Sequence, residues 1–300
     1  MQNTGKHKFL SPKFANTLNI RFVAKQVVEG AVSGFHKSPF RGFNVEFSEH
    51  RQYMPGDEIK NIDWKIFAKT EKYYIKQYEE ETDLRAYLLL DTSTSMTFSS
   101  PDMISKLDYA CYLAASLAYL LLKQGDSIGL VLFNDKITDY LPPRGTPSHC
   151  NLIFDKLEAI KPEPVTGIAD SFHELADRIK RRGVVFIFSD FYDDVDKITN
   201  AIRHFRHKKH EVVVFHLFDP VEKSLDIKGD TLFVDLETKE EILLNPSDIL
   251  SIYQKERENF VNKFKNLANE VRIDYNEVFV DEPYEFTLQK ILKKRLKGRL

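Results

Sequence analysis

Cysteine is scarce in this 300-residue chain: Cys111 and Cys150 are the only two. They have no CxxC spacing and no paired framework, which excludes a disulfide-stapled small domain and a thiolate zinc site. Long apolar runs are missing as well. The longest, "YACYLAASLAYLLL" from Tyr109 to Leu122, is broken by Ser116 and falls short of the roughly 18 to 20 residues a membrane span needs. It reads as a core helix with Cys111 as a buried thiol. The N-terminal "MQNTGKHKFLSPKF" has charges but no apolar segment followed by a cleavage site. A soluble, cytoplasmic protein is therefore expected, without a membrane partner. Nor is there a dominant charge, since the formal net charge is −2. No global field draws the chain to nucleic acid, which is not an expected partner. The basic clusters "RHFRHKKH" (Arg203 to His210) and "KKRLKGRL" at the C-terminus read as solvated helix faces.

What is present is the composition of an ordinary globular protein, 42% apolar and 29% charged. The length allows one large domain or two modest ones. Residues 1–82 differ in character from the rest. A helix is expected over "FANTLNIRFVAKQVVEG", ended by Gly30. A stretch rich in Gly, Pro and aromatics follows, with Pro55 and Gly56 central to a type II turn. Asp63 is placed to cap a helix starting at Trp64, and "KYYIKQYEEE" alternates as a partly exposed strand.

From residue 83 to 300 the rhythm is regular. "RAYLLLD", "DSIGLVLF", "GVVFIFSD" and "HEVVVFHLFD" are short continuous apolar runs, as expected for strands buried on both faces. Helices are expected at about 104–123 (ended by Gly125), 150–160, 168–181 and 195–206. A hairpin turn at Asn134-Asp135, a second hairpin in "TLFVDLETKEEILLN", a long helix opened by Asn245, Pro246 and Asp248, and a last helix from about Glu285 complete the pattern. Alternation of this kind defines an α/β fold: a mostly parallel central sheet with helices on both faces, and an N-terminal segment packed on it. In open sheets of this class ligands collect beyond the carboxyl ends of the strands.

Asp91 stands at such an end, and Ser93 and Ser95 follow at alternate positions in "LLLDTSTSM". Ser189 and Asp190 end another buried strand. Thr166 lies between them in "PVTGIAD", just before a helix. Carboxylate and hydroxyl oxygens are hard ligands suited to Mg²⁺, and no His or Cys joins them to suggest zinc. Two blander roles stand beside this one: Asp91 and the hydroxyls as a helix N-cap group, and Ser189 as a loop hydrogen-bonder. His173 reads as a surface or core residue rather than a ligand.

"DTSTS" resembles the DxSxS motif of von Willebrand factor A domains, whose metal-ion-dependent adhesion site also uses a later threonine and a later aspartate. The matching positions are Asp91, Ser93, Ser95, Thr166 and Asp190. The threonine loop departs from the Gly-Gly-Thr-Asp common in such sites. Upstream, "EFSEHRQYMPGDEIKNIDWKIFAKTEKYYIKQYEEE" resembles the signature of the fifty-eighth domain-of-unknown-function family, bacterial and archaeal proteins with a von Willebrand A domain. The resemblance spans about residue 33 to the C-terminus.

It implies a Rossmann-like von Willebrand A fold over 83–300 behind a family-specific segment, 1–82. It further implies one Mg²⁺ or Mn²⁺ on the five matching residues, with a partner's Asp or Glu completing the coordination. Family members are often encoded beside MoxR-type AAA+ ATPases, so an adaptor or co-chaperone of such an ATPase is expected. No general base, nucleophile or second metal cluster is evident, so no enzyme is expected. The competing function is a Mg²⁺-dependent phosphohydrolase using Asp91. In Arg51, Tyr53, Asp57, Asp63 and Trp64 the expected role is structural, with a docking surface as the alternative.

Overall fold

The computed structural model describes residues 10–32, 46–54, 62–79, 84–164 and 169–296. The chain divides into two compact units, Phe40–Leu84 and the remainder. In the larger unit the chain begins with α1 (Pro12–Ala15) and α2 (Ile20–Val32). The smaller unit holds β1 (Glu46–Gln52), α3 (Trp64–Thr70) and β2 (Tyr74–Glu79). β1 and β2 pair antiparallel. Asp63 caps α3 as expected, accepting from the amides of Lys65 and Ile66. The turn expected at Pro55-Gly56, and Asp57 beside it, lie outside the described residues.

The larger unit continues with β3 (Arg85–Asp91), α4 (Lys106–Lys123), β4 (Ser127–Phe133), β5 (Ile137–Arg144), α5 (Pro147–Glu158) and α6 (Ala169–Arg178). Next come β6 (Val184–Ser189), α7 (Val195–His207), β7 (Glu211–Phe218) and α8 (Val221–Ser224). The hairpin β8 (Thr231–Val234) and β9 (Glu241–Leu244) follows, then α9 (Pro246–Val271), β10 (Asp274–Phe279) and α10 (Tyr284–Leu296). Six strands form one sheet in the order β10-β7-β6-β3-β4-β5. Every neighbouring pair is parallel except β4 with β5. This is a mixed α/β fold with a mostly parallel central sheet.

The continuous apolar runs become the inner strands because both of their faces are covered. Tyr87, Leu89, Val185, Ile187, Val212 and Val214 meet Phe172 of α6, Ile198 and Phe205 of α7, and Phe264 of α9 in one buried cluster. The alternate residues Ala86, Leu88 and Leu90 are equally buried, and the pleat turns them to the opposite face. There α4 contacts β3, β4 and β7, and is itself covered by α2, α5 and α10. Hence α4 is buried nearly all round, from Leu107 to Leu121, as its mostly apolar composition on every face requires.

One expectation is corrected. Gly30 does not end its helix, because α2 continues to Val32. Packing decides this: a Cβ at Gly30 would lie 3.2 Å from Cγ of Glu285 on α10, so the glycine admits a close helix–helix approach. Gly125 behaves as expected, terminating α4 with φ +83°.

Strand order reverses around β3. The chain passes from β3 to β4 and β5 on one side, then crosses to β6 on the other. The crevice at such a switch point opens beyond the carboxyl ends of β3 and β6. Asp91 ends β3, and Asp190 follows the last residue of β6.

Candidate functional site

Asp91 is fully buried at this crevice, and two donors hold its carboxylate. The Ser93 amide donates to Oδ1 at 2.9 Å and the Ser189 hydroxyl to Oδ2 at 2.6 Å. Thr92 anchors the loop to β4, its amide and hydroxyl both donating to the Phe133 carbonyl. The chain then makes a short 3₁₀ turn over Thr94–Thr97, at whose N-terminus Ser93 makes no side-chain capping bond. The cap of α4 is instead Ser105, which accepts from the Asp108 amide. Capping therefore does not account for the "DTSTS" hydroxyls.

They turn toward one another and toward β6. Ser93 Oγ lies 3.1 Å from Ser95 Oγ, and Ser95 Oγ donates to Asp190 Oδ1 at 3.3 Å. Four of the five residues singled out in the sequence are thus brought together: Asp91, Ser93, Ser95 and Asp190. Thr166 lies outside the described residues, although Glu163, three positions earlier, bridges to Ser93 beside the loop. Asp190 is held in place from behind, because His216 Nε2 donates to its backbone carbonyl at 2.9 Å. Phe191, the next residue, adopts φ +56°, a left-handed conformation that costs a bulky residue of order 1–3 kcal/mol and is retained where the surroundings impose it.

Two buried carboxylates facing one space repel each other. Burial first, and the charge of Asp190 second, push the Asp91 carboxyl up to about 7, against the opposing hydrogen bonds from Ser189 and Ser93. A cation between them would relieve this. The donor set fits a small hard ion, being oxygen only, with two carboxylates and neutral hydroxyls. Adjacent ligands of an octahedral Mg²⁺, each about 2.1 Å from it, stand roughly 3 Å apart, close to the 3.1 and 3.3 Å separations here. Among the described residues no group of three or more His, Cys, Asp or Glu is arranged to hold a metal. An ion at this crevice would therefore depend on the serine hydroxyls.

Sequence reasoning missed three residues. Lys106, in the first turn of α4, is 1% exposed and donates to Asp190 Oδ2 at 2.7 Å and to Glu222 Oε1 at 2.9 Å. Burial alone would lower its pKa, but the two carboxylates outweigh it and the net shift is upward, so the residue stays an ammonium. Glu222 is braced in turn by the Asp219 amide and the Tyr192 hydroxyl. Glu237, at the tip of the β8–β9 hairpin, accepts the Ser95 amide through Oε1 at 2.6 Å. A signal for Lys106 existed: a lysine opening an apolar helix opposes the helix dipole unless carboxylates face it. His173, by contrast, is exposed.

A mostly parallel α/β sheet with a buried cluster of carboxylates and hydroxyls at its switch point is the class that fold and site define. Residues 49–265 match the family described as "Protein of unknown function DUF58", and the chain belongs to that family. Two mycobacterial relatives, "Uncharacterized protein Rv1480" of Mycobacterium tuberculosis and "Uncharacterized protein Mb1516" of Mycobacterium bovis, are each 27% identical over 234 residues. Those alignments span 76% of this chain and 72% of each relative. Among solved structures, the conserved hypothetical protein BatB from Bacteroides thetaiotaomicron aligns with TM-score 0.47 and 15% identity, over 71% of this chain and 99% of its own. An aerotolerance-related membrane protein from Bacteroides fragilis aligns with TM-score 0.46 and 19% identity, over 72% and 99%. No helix among the described residues is long and apolar enough to cross a membrane.

Proposed function

We propose that this chain is a von Willebrand A-like, divalent-metal-dependent protein-interaction module without catalytic activity. In this reading Asp91, Ser93, Ser95, Asp190 and Thr166 hold one Mg²⁺ or Mn²⁺, and a partner's Asp or Glu completes its coordination. The observation that carries the reading is the convergence of four of those residues at the switch point, with hydroxyls spaced as adjacent ligands of a small ion. Two carboxylates leave the ion's charge incompletely neutralised by the cup once Lys106 is counted against Asp190, so it stays attractive to a further carboxylate. The family resemblance points to a MoxR-type AAA+ ATPase as partner, with this chain as a cytoplasmic adaptor or co-chaperone.

The test is capture of the AAA+ ATPase from native lysate by wild type and by Asp91→Ala, each with Mg²⁺ and with EDTA. Capture by wild type in Mg²⁺ alone is expected. Capture that survives both EDTA and the substitution overturns the reading.

A phosphohydrolase using Asp91 gains one observation, a lysine within 2.7 Å of Asp190. That ammonium is already engaged by Asp190 and Glu222, and both Asp91 oxygens accept hydrogen bonds, which leaves no prepared nucleophile. Phosphoester turnover lost in Asp91→Asn would reinstate it.

A further inference from the structure

β10 is the last strand of the six-stranded sheet, with β7 as its one strand neighbour among the described residues. The Val280 amide, just past the strand, donates to the Phe218 carbonyl of β7. Main-chain groups alternate sides along a strand, so the amides of Tyr275, Glu277 and Phe279 face the outer edge. The Tyr275 carbonyl faces outward with them and is met from outside the sheet, by Lys294 Nζ of α10 at 3.4 Å. Natural edges are blunted by proline, by a bulge, or by lysine on the strand itself. β10, "DYNEVF", has none of these, and its register with β7 is unbroken.

The edge instead forms the floor of a groove of about 850 Å³ between α9 and α10. Lys265, Ala268 and, at the cap of α9, Arg272 line one wall, and Lys290 and Lys294 line the other. The lining residues carry four cations against two carboxylates, Asp274 and Glu277. Those carboxylates are neutralised inside the groove: Glu277 pairs with Lys265 at 2.7 Å and Asp274 with Lys294 at 2.8 Å. Arg272 and Lys290 are exposed, one on each wall, and leave the groove positive.

We propose that this groove takes an extended acidic segment of a partner protein, which adds to the sheet as a further strand beside β10. Backbone pairing supplies the affinity, and the walls select the side chains. An added strand sends alternate side chains to opposite faces. Those on one face meet Ala268 and Tyr275, which pack on the core there. Those on the other meet Lys290 and Lys294 of α10. Alternating apolar and acidic residues therefore fit. A second copy of this chain fits poorly, because pairing β10 with β10 would bring like cations together. The competing role is protective, with the flanking lysines keeping the edge unpaired.

Fluorescence anisotropy of the full chain with a short labelled peptide of alternating valine and glutamate decides between these roles. EDTA is present throughout, so that no ion at the crevice takes part. Saturable binding is expected. Two N-methylated versions, one on each set of alternate residues, remove the donors of one peptide edge or the other. One version should bind roughly tenfold more weakly and the other should bind as the parent does. Lys290→Glu, an exposed substitution, should weaken the parent peptide roughly fivefold. No binding of the parent, equal binding of both N-methylated versions, or unchanged binding in Lys290→Glu overturns the proposal. Equally tight binding of a thymidine oligonucleotide reassigns the cationic walls to nucleic acid and overturns it too, as does a dimer of the chain that excludes the peptide.

Discussion

Lys106 is the residue whose environment explains most about the site. An ammonium 1% exposed survives only because Asp190 and Glu222 grip it, and removing one member of such a group strands the others in low dielectric. Lys106→Met should therefore cost about 3–5 kcal/mol in the metal-free protein, read as a shifted urea midpoint. Saturating Mg²⁺ should restore part of the loss if the cup holds it, because the ion also neutralises Asp190. His210 and His216 carry a different prediction. Both rings donate Nε2 to backbone carbonyls, of Ile179 and Asp190, and burial depresses both proton affinities. The unfolded chain therefore binds protons below about pH 6.5 that the fold refuses. The stability of this pair is present above that value and lost as pH falls, by up to about 1.4 kcal/mol per pH unit for each ring. Asp91, whose carboxyl is raised to about 7, contributes with the opposite sign over the same range, so the histidine effect is read by comparison: in unfolding measured from pH 7.5 to 5, His210→Leu should lose stability less steeply than wild type as pH falls. At this scale the sequence disclosed what is local: Asp91, Ser93 and Ser95 sit within five residues and could be read together. Lys106 and Glu237 reach the cup across 84 and 142 positions, and no local pattern marks such contacts.

At the scale of elements, β3 and β6 matter most because they aim Asp91 and Asp190 into one crevice. Their pairing is close at its starting end. A Cβ on Gly183 would lie 2.2 Å from the Arg85 carbonyl oxygen, where backbone rather than a flexible side chain would have to yield. Gly183→Ala is expected to destabilise by about 3 kcal/mol or more. It should also raise hydrogen exchange along Val184–Ser189 ahead of the outer strands, whereas uniform exchange would argue that the strands adjust together. Elements of this kind were legible because a strand buried on both faces must be apolar between its ends, and "RAYLLLD", "SIGLVLF" and "VVFIFS" are. Helix boundaries were less legible where packing decides them. Gly30 carries a terminator's identity, but it lies mid-helix where Glu285 of α10 approaches. α5 starts at Pro147 rather than near Cys150, since Thr146 caps it and Pro147 fills its first turn.

At the scale of the whole molecule, a formal charge of −2 conceals an uneven distribution. Asp91, Asp190, Asp219, Glu222 and Glu237 are joined through hydrogen bonds around residues 93–106, and Lys106 is the ammonium bonded among them. Folding brings these carboxylates together from β3 and from the segments that follow β6, β7 and β8, and in the proposed metal-binding reading a divalent ion would relieve the repulsion between Asp190 and Asp91 that helps raise the Asp91 carboxyl. Ligand that binds the folded chain alone stabilises it by mass action. At a hundredfold excess over the dissociation constant this amounts to about 2.7 kcal/mol. Mg²⁺ should accordingly raise the melting temperature of the intact chain by several degrees, an increment that saturates with concentration and persists in 0.3 M NaCl. In the proposed reading Asp91→Ala removes both a ligand and one of the repelling charges, so its metal-free melting temperature should fall less than loss of a buried group ordinarily implies. Its response to Mg²⁺ should disappear. A shift of equal size in wild type and Asp91→Ala would mean that the ion acts elsewhere on the surface, and would detach the acidity of the crevice from any role in holding metal.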